Sequence, residues 1–465
     1  MEQATLDRPV APSASFPPGP RLPALLNGVR YTRDPIGFFV RLQRRHGDIF
    51  SVPFPYFGRV VYVAEPQLAK RVFSGDPAQF HAGEANATVL EPALGPNSVL
   101  TLDEDEHLRQ RKLLLPPFHG ERVRRYGELI RDITERVMQT WPIGEPFELR
   151  PHTQRVTLTV ILRAVFGMRD PERVERATRL VDQFTRRANL VIAMPWLQHD
   201  FGRFSPWSRY RRARAALNEL IYEEIAMRRA EADGGDRDDV LSLLLAAEHD
   251  DGTPMSDEEL RDELMTVIGA GHETTATGLA WALERLLREP RAMARLRESI
   301  AAGKDDYLDA TIKETLRVRP VIVDVARKLT APAEIGGYEL PAGTFVLPAI
   351  AALHYREDLF PEPEEFRPER FLDGHADAYA WIPFGGGVRR CLGAAFAQFE
   401  MRIVLRAILE RADLRAPDLK PERVKTRNIT LAPGKGARVV LERPLRPASS
   451  SATSGAAQPA TSAAG

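Results

Sequence analysis

The chain has 465 residues, and its 64 lysines and arginines balance its 64 aspartates and glutamates, so its formal charge is zero. This balance produces no global field that would favour nucleic acid or an anionic membrane as a partner. The amino terminus lacks a secretory pattern, and no run approaches the roughly 18 apolar residues needed to cross a bilayer. We therefore expect a cytoplasmic protein without a membrane anchor.

Both ends of the chain have compositions typical of disordered segments. Residues 1–20 are rich in Pro, Ala and Ser, and residues 448–465 are almost entirely Ala, Ser, Thr, Gly and Pro. Neither stretch holds enough apolar surface to offset the entropy of ordering it. Because nothing between them resembles a linker, the sequence predicts one domain over residues 21–445, with disordered tails at residues 1–20 and 446–465.

The first predicted elements are two extended runs, residues 48–52 and 59–63, which are expected to form a hairpin. Helical patterns dominate from Asp103 to about Ile221. The mixed, apolar residues 191–206 predict a loop or lid. The next segment, rich in Gly and Asp, predicts a mobile connection over residues 233–239.

The longest predicted helix follows Ser256, which forms a capping box with Glu259, and continues to about Glu289, where Pro290 is expected to end it. At about 1.5 Å per residue such a helix spans roughly 50 Å, enough to cross a domain. The remaining predicted elements are a helix that ends at Pro320, strands near residues 338–340 and 344–350, and a final helix over about 392–412. The fold class is therefore mainly α with small β-sheets.

The only cysteine of the chain, Cys391, excludes an intramolecular disulfide, a multi-cysteine zinc site and a thiolate-ligated iron–sulfur cluster within the chain. A lone cysteine is either a small buried hydrophobe or a residue with one chemical task. Here Arg389, Arg390 and the start of the final helix are expected to lower the pKa of the thiol and favour a thiolate. Upstream glycines allow a tight turn, and Gly393 leaves room for a flat macrocycle.

Residues 384–393, with the sequence FGGGVRRCLG, match the pattern Phe-x-x-Gly-x-Arg-x-Cys-x-Gly. This is the heme-binding signature of the cytochromes P450, and the chain resembles the bacterial members of that family from Arg21 to Arg443. The resemblance implies a single-domain cytochrome P450 fold and a monooxygenase that carries heme b (iron protoporphyrin IX). It makes Cys391 the axial ligand of the iron and assigns cofactor contacts to Phe384, Gly385, Arg389 and Gly393.

Midway along the long helix, the run from Ala270 to Thr275 clusters glycine and threonine, which are both weak helix formers. Local conflicts of this kind tend to mark functional sites, and a hydroxyl that bonds to a carbonyl one turn earlier can open a groove. The resemblance assigns proton delivery to Glu273 and Thr274 as catalytic residues, with Ala270 and Gly271 beside an oxygen groove. Packing alone remains the alternative explanation of the small residues.

His272 and Glu273 do not form a metalloprotease motif, because no second histidine stands three residues beyond Glu273. We expect His272 to be structural or to line the substrate site.

Glu314 and Arg317 are neighbours on a helix face, a spacing too common to be informative alone. Their position upstream of residues 366–371 matches a family network of Glu314, Arg317 and Arg370, to which the resemblance gives a structural role.

Two polar residues four apart, His107 and Arg111, share a face of a helix that Asp103 and Glu106 are expected to cap. They match the family position that contacts the heme propionates, and Arg327 and Arg389 match two further contacts. A merely exposed, polar His107 is the alternative.

Family substrate contacts fall on the loop 80–99, the lid near 190–204, residues 321–325 and the turn 429–431. The last two are largely apolar, which favours a hydrophobic small-molecule substrate, although Asp324 and Asn428 offer polar groups that could also be satisfied structurally. No flavin or nicotinamide module fits the remaining length. The expected electron donors are therefore separate proteins, a ferredoxin and a ferredoxin reductase, which would dock on a basic patch of Arg109, Lys112 and Arg390.

We further expect O2 as co-substrate, a monomer and no nucleic-acid partner. Two other functions remain open at this stage. One is a peroxygenase driven by hydrogen peroxide, which the acid–alcohol pair argues against because peroxide already supplies both oxygens and the protons. The other is a non-catalytic heme protein that senses or binds small apolar molecules.

Overall fold

The computed structural model describes residues 16–116, 124–193, 197–200, 202–231, 239–373, 377–427 and 429–447. Asn428, most of both predicted tails and most of the predicted connection 233–239 lie outside the described residues, as do parts of the predicted lid. In the described part, helices predominate over small sheets, as the sequence predicts. None of the helices found there is both long enough and apolar enough to span a membrane.

Helices make up most of the chain before residue 250. They are α1 Ala24–Arg33, α2 Pro35–His46, α3 Pro66–Ser74, α4 Gly83–Leu94, α5 Glu104–Leu114, α6 Gly127–Met138, α7 Leu149–Ala164, α8 Pro171–Ala193, α9 Pro206–Ala230 and α10 Val240–Leu245. Several begin with proline, which has no N–H to leave unbonded in the first turn. The Glu65 carboxylate illustrates the accompanying caps, since it accepts hydrogen bonds from the amides of Gln67 and Leu68 at the start of α3.

The later helices are α11 Asp257–Leu286, α12 Pro290–Ala301, α13 Asp306–Val318, α14 Ile350–His354 and α15 Ala394–Arg411. The predicted capping box of α11 is confirmed: the Ser256 hydroxyl accepts from the Glu259 amide (3.2 Å), and the Glu259 carboxylate accepts from the Ser256 amide (2.8 Å). The predicted end at about Glu289 is three residues late. The helix ends at Leu286, and Pro290 begins α12, because the first turn of a helix tolerates the missing N–H.

The main sheet has five strands in the order β1-β2-β8-β5-β3. These are β1 Ile49–Phe54, β2 Gly58–Val63, β3 Phe80–His81, β5 Arg327–Leu329 and β8 Phe345–Pro348. The predicted hairpin is confirmed, with an antiparallel register from Ile49↔Val63 to Phe54↔Gly58. The smaller sheets contain β4 Pro146–Glu148, β9 Leu414–Arg415 and β12 Arg438–Leu441; β6 Ala333–Ile335 and β7 Tyr338–Leu340; and β10 Val424–Arg427 and β11 Thr430–Pro433.

Helix α11 runs through the main hydrophobic core and packs on α7, α9, α13 and α15. From His272 to Leu286 almost every residue of α11 is buried. Trp281, which is fully buried, donates a hydrogen bond from its indole Nε1 to the Leu431 carbonyl (2.7 Å). This helix therefore provides a rigid base for the site, and its amino-terminal half contributes the residues described next.

Candidate active site

The loop before Cys391 has a shape that only glycine permits. Gly385 and Gly387 adopt positive φ angles of 68° and 64°. A Cβ on Gly387 would lie 2.0 Å from the Phe73 carbonyl oxygen, so the loop backbone lies directly against the end of α3. The Cys391 amide closes the turn by donating to the Phe384 carbonyl (3.0 Å).

Cys391 keeps an exposed surface at the end of this loop, where the position of a Cβ on Gly393 would also be open space, although protein atoms around the sulfur remove much of its hydration. Burial within the protein raises the pKa of the thiol above its ordinary value, although the Gly393 amide, Arg390 and Arg111 act in the opposite direction. The prediction that the loop itself favours the thiolate is therefore wrong, because desolvation outweighs the neighbouring charges. A coordinated metal ion deprotonates a thiol outright, so the ligand role does not depend on a lowered pKa.

Arg389 also differs from expectation, because its guanidinium is engaged by residues just before α5. It donates to the Asp103 carboxylate (2.6 Å) and to the Val99 carbonyl (3.1 Å). Asp103 does not cap α5 as predicted. Its carboxylate instead accepts hydrogen bonds from the backbone amides of residues 82–84. These amides are at the start of α4, which lies against the turn that precedes α5.

The predicted propionate residues converge. His107 is buried on α5, and the Arg111 guanidinium on the next turn donates to the Arg390 carbonyl (2.9 Å). Burial, followed by the charges of Arg389, Arg111 and Arg327, lowers the pKa of His107 to about 3, so the imidazole is neutral. The alternative of an exposed His107 is wrong for this structure.

Positive charge in this cluster exceeds negative charge. Among the described residues, Asp103 pairs with Arg389, and no carboxylate pairs with Arg111 or Arg327. Burial and the neighbouring Arg389 lower the pKa of Arg327 to about 10. A donor set of two unpaired arginines and a neutral imidazole suits a ligand with two carboxylates, which is what heme b carries. The residues present therefore fit this cofactor.

The groove on α11 opens at its middle. Gly269 and Ala270 are exposed, whereas most of the helix around them is buried. The Thr274 hydroxyl donates to the Ala270 carbonyl (2.6 Å), as the groove prediction requires. From α7, the Thr157 hydroxyl donates to the His272 carbonyl (2.8 Å), so two hydroxyl groups bind carbonyls in this part of the helix.

Gly271 has a different reason to be small. A Cβ on this residue would lie 2.7 Å from the Ile161 Cδ1 atom of α7. The packing explanation therefore holds for Gly271, whereas Ala270 faces open space. His272 is buried, and its Nδ1 lies 2.6 Å from the Ile268 carbonyl, which favours its structural role.

Glu273 is buried in a salt bridge that the sequence does not reveal. Its Oε1 lies 3.0 Å from Nη2 of Arg150, at the start of α7, and both side chains are less than a tenth exposed. More than a hundred residues separate the two along the chain, so no spacing could have predicted the pair. Arg150 fixes the acid of the acid–alcohol pair beside Thr274.

Glu314, Arg317 and Arg370 lie together, as the resemblance implies. Arg317 and Glu314 are fully buried and joined by two hydrogen bonds of 2.7 and 2.8 Å, and Nε of Arg370 lies 3.3 Å from the same carboxylate. The remaining guanidinium nitrogen of Arg317 donates to the carbonyls of His354 and Pro363. This network joins α13 to the segment that leads to the Cys391 loop.

The loop 95–103 is attached to α11 by contacts that sequence reasoning missed. The Asp262 carboxylate accepts from the Asn97 amide (2.9 Å), and the Glu263 carboxylate accepts from the Val99 amide (2.8 Å). Arg389 also binds the loop 95–103. This loop therefore connects α11 to the Cys391 loop. The sequence gives little advance signal of these contacts, because Asp262 and Glu263 follow other acidic residues in the first turns of the same helix.

The predicted substrate segments 321–325 and 429–431 also meet. The Leu431 amide donates to the Val321 carbonyl (2.9 Å), and Val323 and Leu431 belong to one apolar cluster beside β2. Asp324 does not point to a separate polar site: Tyr62 hydrogen-bonds its carboxyl, and burial raises the pKa of Asp324 to about 7.

Comparison with known proteins identifies the family. The profile described as Cytochrome P450 matches residues 17–439. Cytochrome P450 135B1 of Mycobacterium tuberculosis is 43% identical, over 92% of this chain and 91% of its own length. Cytochrome P450 138 of the same species is 38% identical, over 95% of this chain and all of its own length.

Solved structures agree with these relatives. A retinoic-acid-bound cyanobacterial CYP120A1 superposes with a TM-score of 0.80 at 26% identity and covers 92% of this chain and 100% of its own. The heme domain of cytochrome P450DA gives 0.79 at 25% identity, with 93% and 98% covered. This chain belongs to the cytochrome P450 family. The predicted fold, heme b cofactor and monooxygenase class are thereby confirmed.

Proposed function

We propose that this cytochrome P450 inserts one oxygen atom of O2 into a hydrophobic small-molecule substrate, with electrons from a separate ferredoxin and ferredoxin reductase. The observation that carries the proposal is the arrangement at the middle of α11, where Glu273 is held by Arg150 and the adjacent Thr274 hydroxyl lies beside the exposed Ala270. An acid and an alcohol in sequence are what proton-dependent activation of O2 needs, and peroxide chemistry does not need them.

The predicted site residues would hold the cofactor from two sides. Cys391 would supply the thiolate, and His107, Arg111 and Arg327 would bind the propionates, with help from Arg389, which also holds the loop 95–103. The bound heme supplies the iron at which O2 is activated, and a thiolate ligand favours O–O cleavage.

Proton delivery uses the chain's own side chains. In the proposed path Glu273, which Arg150 holds in place, is the acid, and the Thr274 hydroxyl is the group that presents a proton beside Ala270. The Ala270 carbonyl orients that hydroxyl. The buried network of Glu314, Arg317 and Arg370 maintains the position of the Cys391 loop and takes no part in the chemistry.

The apolar character of segments 321–325 and 429–431 supports a hydrophobic substrate. The similar cyanobacterial protein CYP120A1 binds retinoic acid, a hydrophobic carboxylic acid, which supports the same substrate class for this chain. We expect a cytoplasmic monomer. The basic patch proposed for the ferredoxin remains a proposal: Arg109 and Arg390 are exposed, whereas Lys112 pairs with Asp250.

The proposal is tested by screening a library of apolar ligands for the low- to high-spin shift of the Soret band, and then by measuring turnover of the hits. Substrate-dependent NADPH consumption and product formation with a ferredoxin system are the expected result. Product formed with hydrogen peroxide alone would assign a peroxygenase. Spectral binding without either activity would assign a non-catalytic heme protein. Raising the ionic strength should slow reduction by the ferredoxin; an unchanged rate would contradict the basic docking patch.

A further inference from the structure

A pocket of about 420 Å3 lies between α4 and α9. The residues that line it include Pro92 on α4 and, on α9, Trp207, Tyr210, Arg211, Arg214 and Asn218. The α9 residues recur every three or four positions, so they share one face of the helix. None of the residues that the structure places in the lining is acidic, and none is assigned to heme binding or proton delivery. The volume falls within the roughly 300–1,000 Å3 of small-molecule sites.

Aromatic rings form one part of this lining. Tyr210 stacks on Trp207 with the ring centroids 5.3 Å and the planes 24° apart, and Phe184 of α8 packs on Tyr210 at 5.8 Å. Phe184 and Tyr210 are buried, whereas Trp207, the last ring of the column, keeps part of its surface exposed. A flat ring in the pocket would extend the column, because aromatic rings attract one another at centroid separations of about 4.5–7 Å. The column therefore favours a planar aromatic ligand.

Polar atoms form another part. Two buried atoms of the lining have no hydrogen-bond partner among the residues that the structure describes, Nε of Arg214 and Oδ1 of Asn218. The two residues are four apart, which makes them neighbours on the helix surface. One atom is a donor and the other an acceptor, and buried groups of either kind are nearly always paired because an unmade hydrogen bond costs free energy. A ligand that carries both an acceptor and a donor would satisfy them together.

Positive charge selects the acceptor. Arg211, which is exposed, lies 3.7 Å from the Asp200 carboxylate, beyond hydrogen-bond distance. Burial raises the pKa of Tyr210 to about 12, although the guanidinium of Arg214 acts in the opposite direction, so Arg214 lies near the phenol in the pocket. Two guanidinium groups beside each other suit a carboxylate or a phosphate, whose oxygens accept paired N–H donors.

We propose that this pocket is an effector site for a small aromatic anion whose ring carries a hydrogen-bond donor. The ring would stack on Trp207, the anionic group would accept from Arg211 and Arg214, and the ring donor would bind Oδ1 of Asn218. Carboxylates and phosphates offer the same oxygens to the arginines. An aliphatic acid would leave the aromatic column without a role, and an apolar compound would leave the two buried polar atoms unpaired.

The pocket is joined to the carboxyl end of α4. The Tyr210 hydroxyl donates to the Pro92 carbonyl (2.6 Å) and thereby ties α9 to the last turn of that helix. The helix ends before Gly95, where a Cβ would lie 2.1 Å from Oδ1 of Asp262. The backbone that follows α4 therefore lies directly against the carboxylate by which α11 holds the loop 95–103.

Arg214 is also close to that carboxylate. Burial raises the pKa of Asp262, while the Asn97 amide and the charges of Arg261 and Arg214 act in the opposite direction. An anion that fixes the position of Arg214 should therefore restrict both the end of α4 and the contact between Asp262 and Asn97. Because Arg389 binds the same loop, the occupied pocket would stiffen the connection between α11 and the Cys391 loop.

The test is isothermal titration calorimetry of the full-length holoprotein with indole-3-acetate and with indoxyl phosphate. Both titrations are repeated with 4-phenylimidazole present, whose ring nitrogen binds heme iron and thus occupies the substrate side of the heme. We expect one-to-one binding that persists with 4-phenylimidazole, and the tighter of the two compounds identifies the preferred anionic group. Absence of binding of both compounds would overturn the proposal. So would binding that 4-phenylimidazole abolishes, because the anion would then occupy the heme site.

Variants of α9 locate the bound anion. Arg214→Met should weaken binding by about tenfold or more, since a charge-assisted hydrogen bond is lost. Trp207→Leu should weaken it by about threefold or more through the loss of stacking. Arg209→Met is the matched control, because Arg209 is exposed on the opposite side of the same helix and its replacement removes the same charge. Equal binding of Arg214→Met and the wild type would overturn the proposal.

The ring donor is tested with a second ligand. Asn218→Leu should weaken the binding of indole-3-acetate by about fivefold and leave that of its N-methyl analogue unchanged, because the methylated nitrogen has no proton to donate. An equal loss for the two compounds would contradict the proposed pairing with Asn218.

Hydrogen exchange followed by mass spectrometry measures the connection to the loop. With indole-3-acetate bound, the amides of residues 95–103 should exchange more slowly in the wild type and not in Arg214→Met. Unchanged exchange in the wild type would overturn the effector role. None of these measurements requires turnover. A chain that hydroxylates a substrate and fails to bind either anion would contradict this inference alone, and the reverse outcome would contradict the proposed function alone.

Discussion

At the scale of single residues, the position of Cys391 is set by backbone geometry, because Gly385 and Gly387 form the turn before it. Neighbouring charges contribute less, since burial still raises the pKa of the thiol. We expect Cys391→Ser to abolish the red-shifted Soret band of the CO-bound ferrous protein, since a hydroxyl is a far weaker electron donor than a thiolate. Difference spectroscopy makes the measurement, and heme content measured separately shows whether the variant still binds the cofactor. Survival of the band would disprove the ligand assignment.

Thr274 tests the proton path. Removing its hydroxyl in Thr274→Ala should preserve NADPH consumption and reduce product per NADPH by on the order of tenfold or more, with hydrogen peroxide released instead. Thr159→Ala is the control, because Thr159 also bonds to a carbonyl one turn earlier, on α7. Full coupling in Thr274→Ala would remove Thr274 from the mechanism.

Asp324 gives a pH-dependent prediction. Burial raises its pKa from 3.8 to about 7 in the folded protein, so folding takes up a proton and the folded state loses stability as the pH rises from about 4 to 7. Asp324→Asn cannot ionise and should gain on the order of 2 kcal/mol relative to the wild type between pH 5 and pH 8. Urea unfolding at both pH values measures it, with the exposed Asp105→Asn as control. An equal effect at both pH values would contradict the assignment.

At the scale of elements, the fully buried Glu314–Arg317 pair of α13 binds the segment before the Cys391 loop, since Arg370 contacts the carboxylate and the guanidinium donates to the carbonyls of His354 and Pro363. We expect Arg317→Met to destabilise the protein by about 3–5 kcal/mol, because the buried Glu314 carboxylate would lose its main ion-pair partner and keep only the longer contact with Arg370. Denaturant unfolding of the holoprotein followed by circular dichroism measures the loss.

Two further variants distinguish this pair from ordinary surface pairs. The double variant E314Q/R317M should cost less than Arg317→Met alone, since the fully buried carboxylate is removed together with its main partner. Arg295→Met, which breaks an exposed pair with Glu369, should cost less than about 1 kcal/mol. If Arg317→Met cost no more than Arg295→Met, the network would have no structural importance.

Elements with local signals could be predicted from the sequence, and elements that depend on distant partners could not. The start of α11 follows from Ser256 and Glu259, and the first hairpin follows from its β-branched strands. Pro290 indicates the end of α11 only approximately. Proline can follow the end of one helix and also begin the next, so it does not fix the last residue of the first. Strand β3 has two residues, Phe80 and His81, and depends on pairing with β5 rather than on its own pattern.

At the scale of the whole molecule, the same distinction applies to the site. The motif around Cys391 is contiguous, so the sequence contains it entirely. The salt bridge of Arg150 with Glu273 and the contact of Arg389 with Asp103 each join segments that are remote in the chain. Only the three-dimensional fold brings these groups together.

The connector between α11 and the Cys391 loop also bears on how the protein is made. The loop 95–103 is bound on one side by Asp262 and Glu263 and on the other by Arg389, which follows it by nearly three hundred residues. During synthesis the earlier helices leave the ribosome long before Arg389 and Cys391 do. In the nascent chain the loop 95–103 therefore lacks its contacts with Arg389 until the last part of the chain has been synthesised. Binding of the cofactor is accordingly one of the final steps of biogenesis.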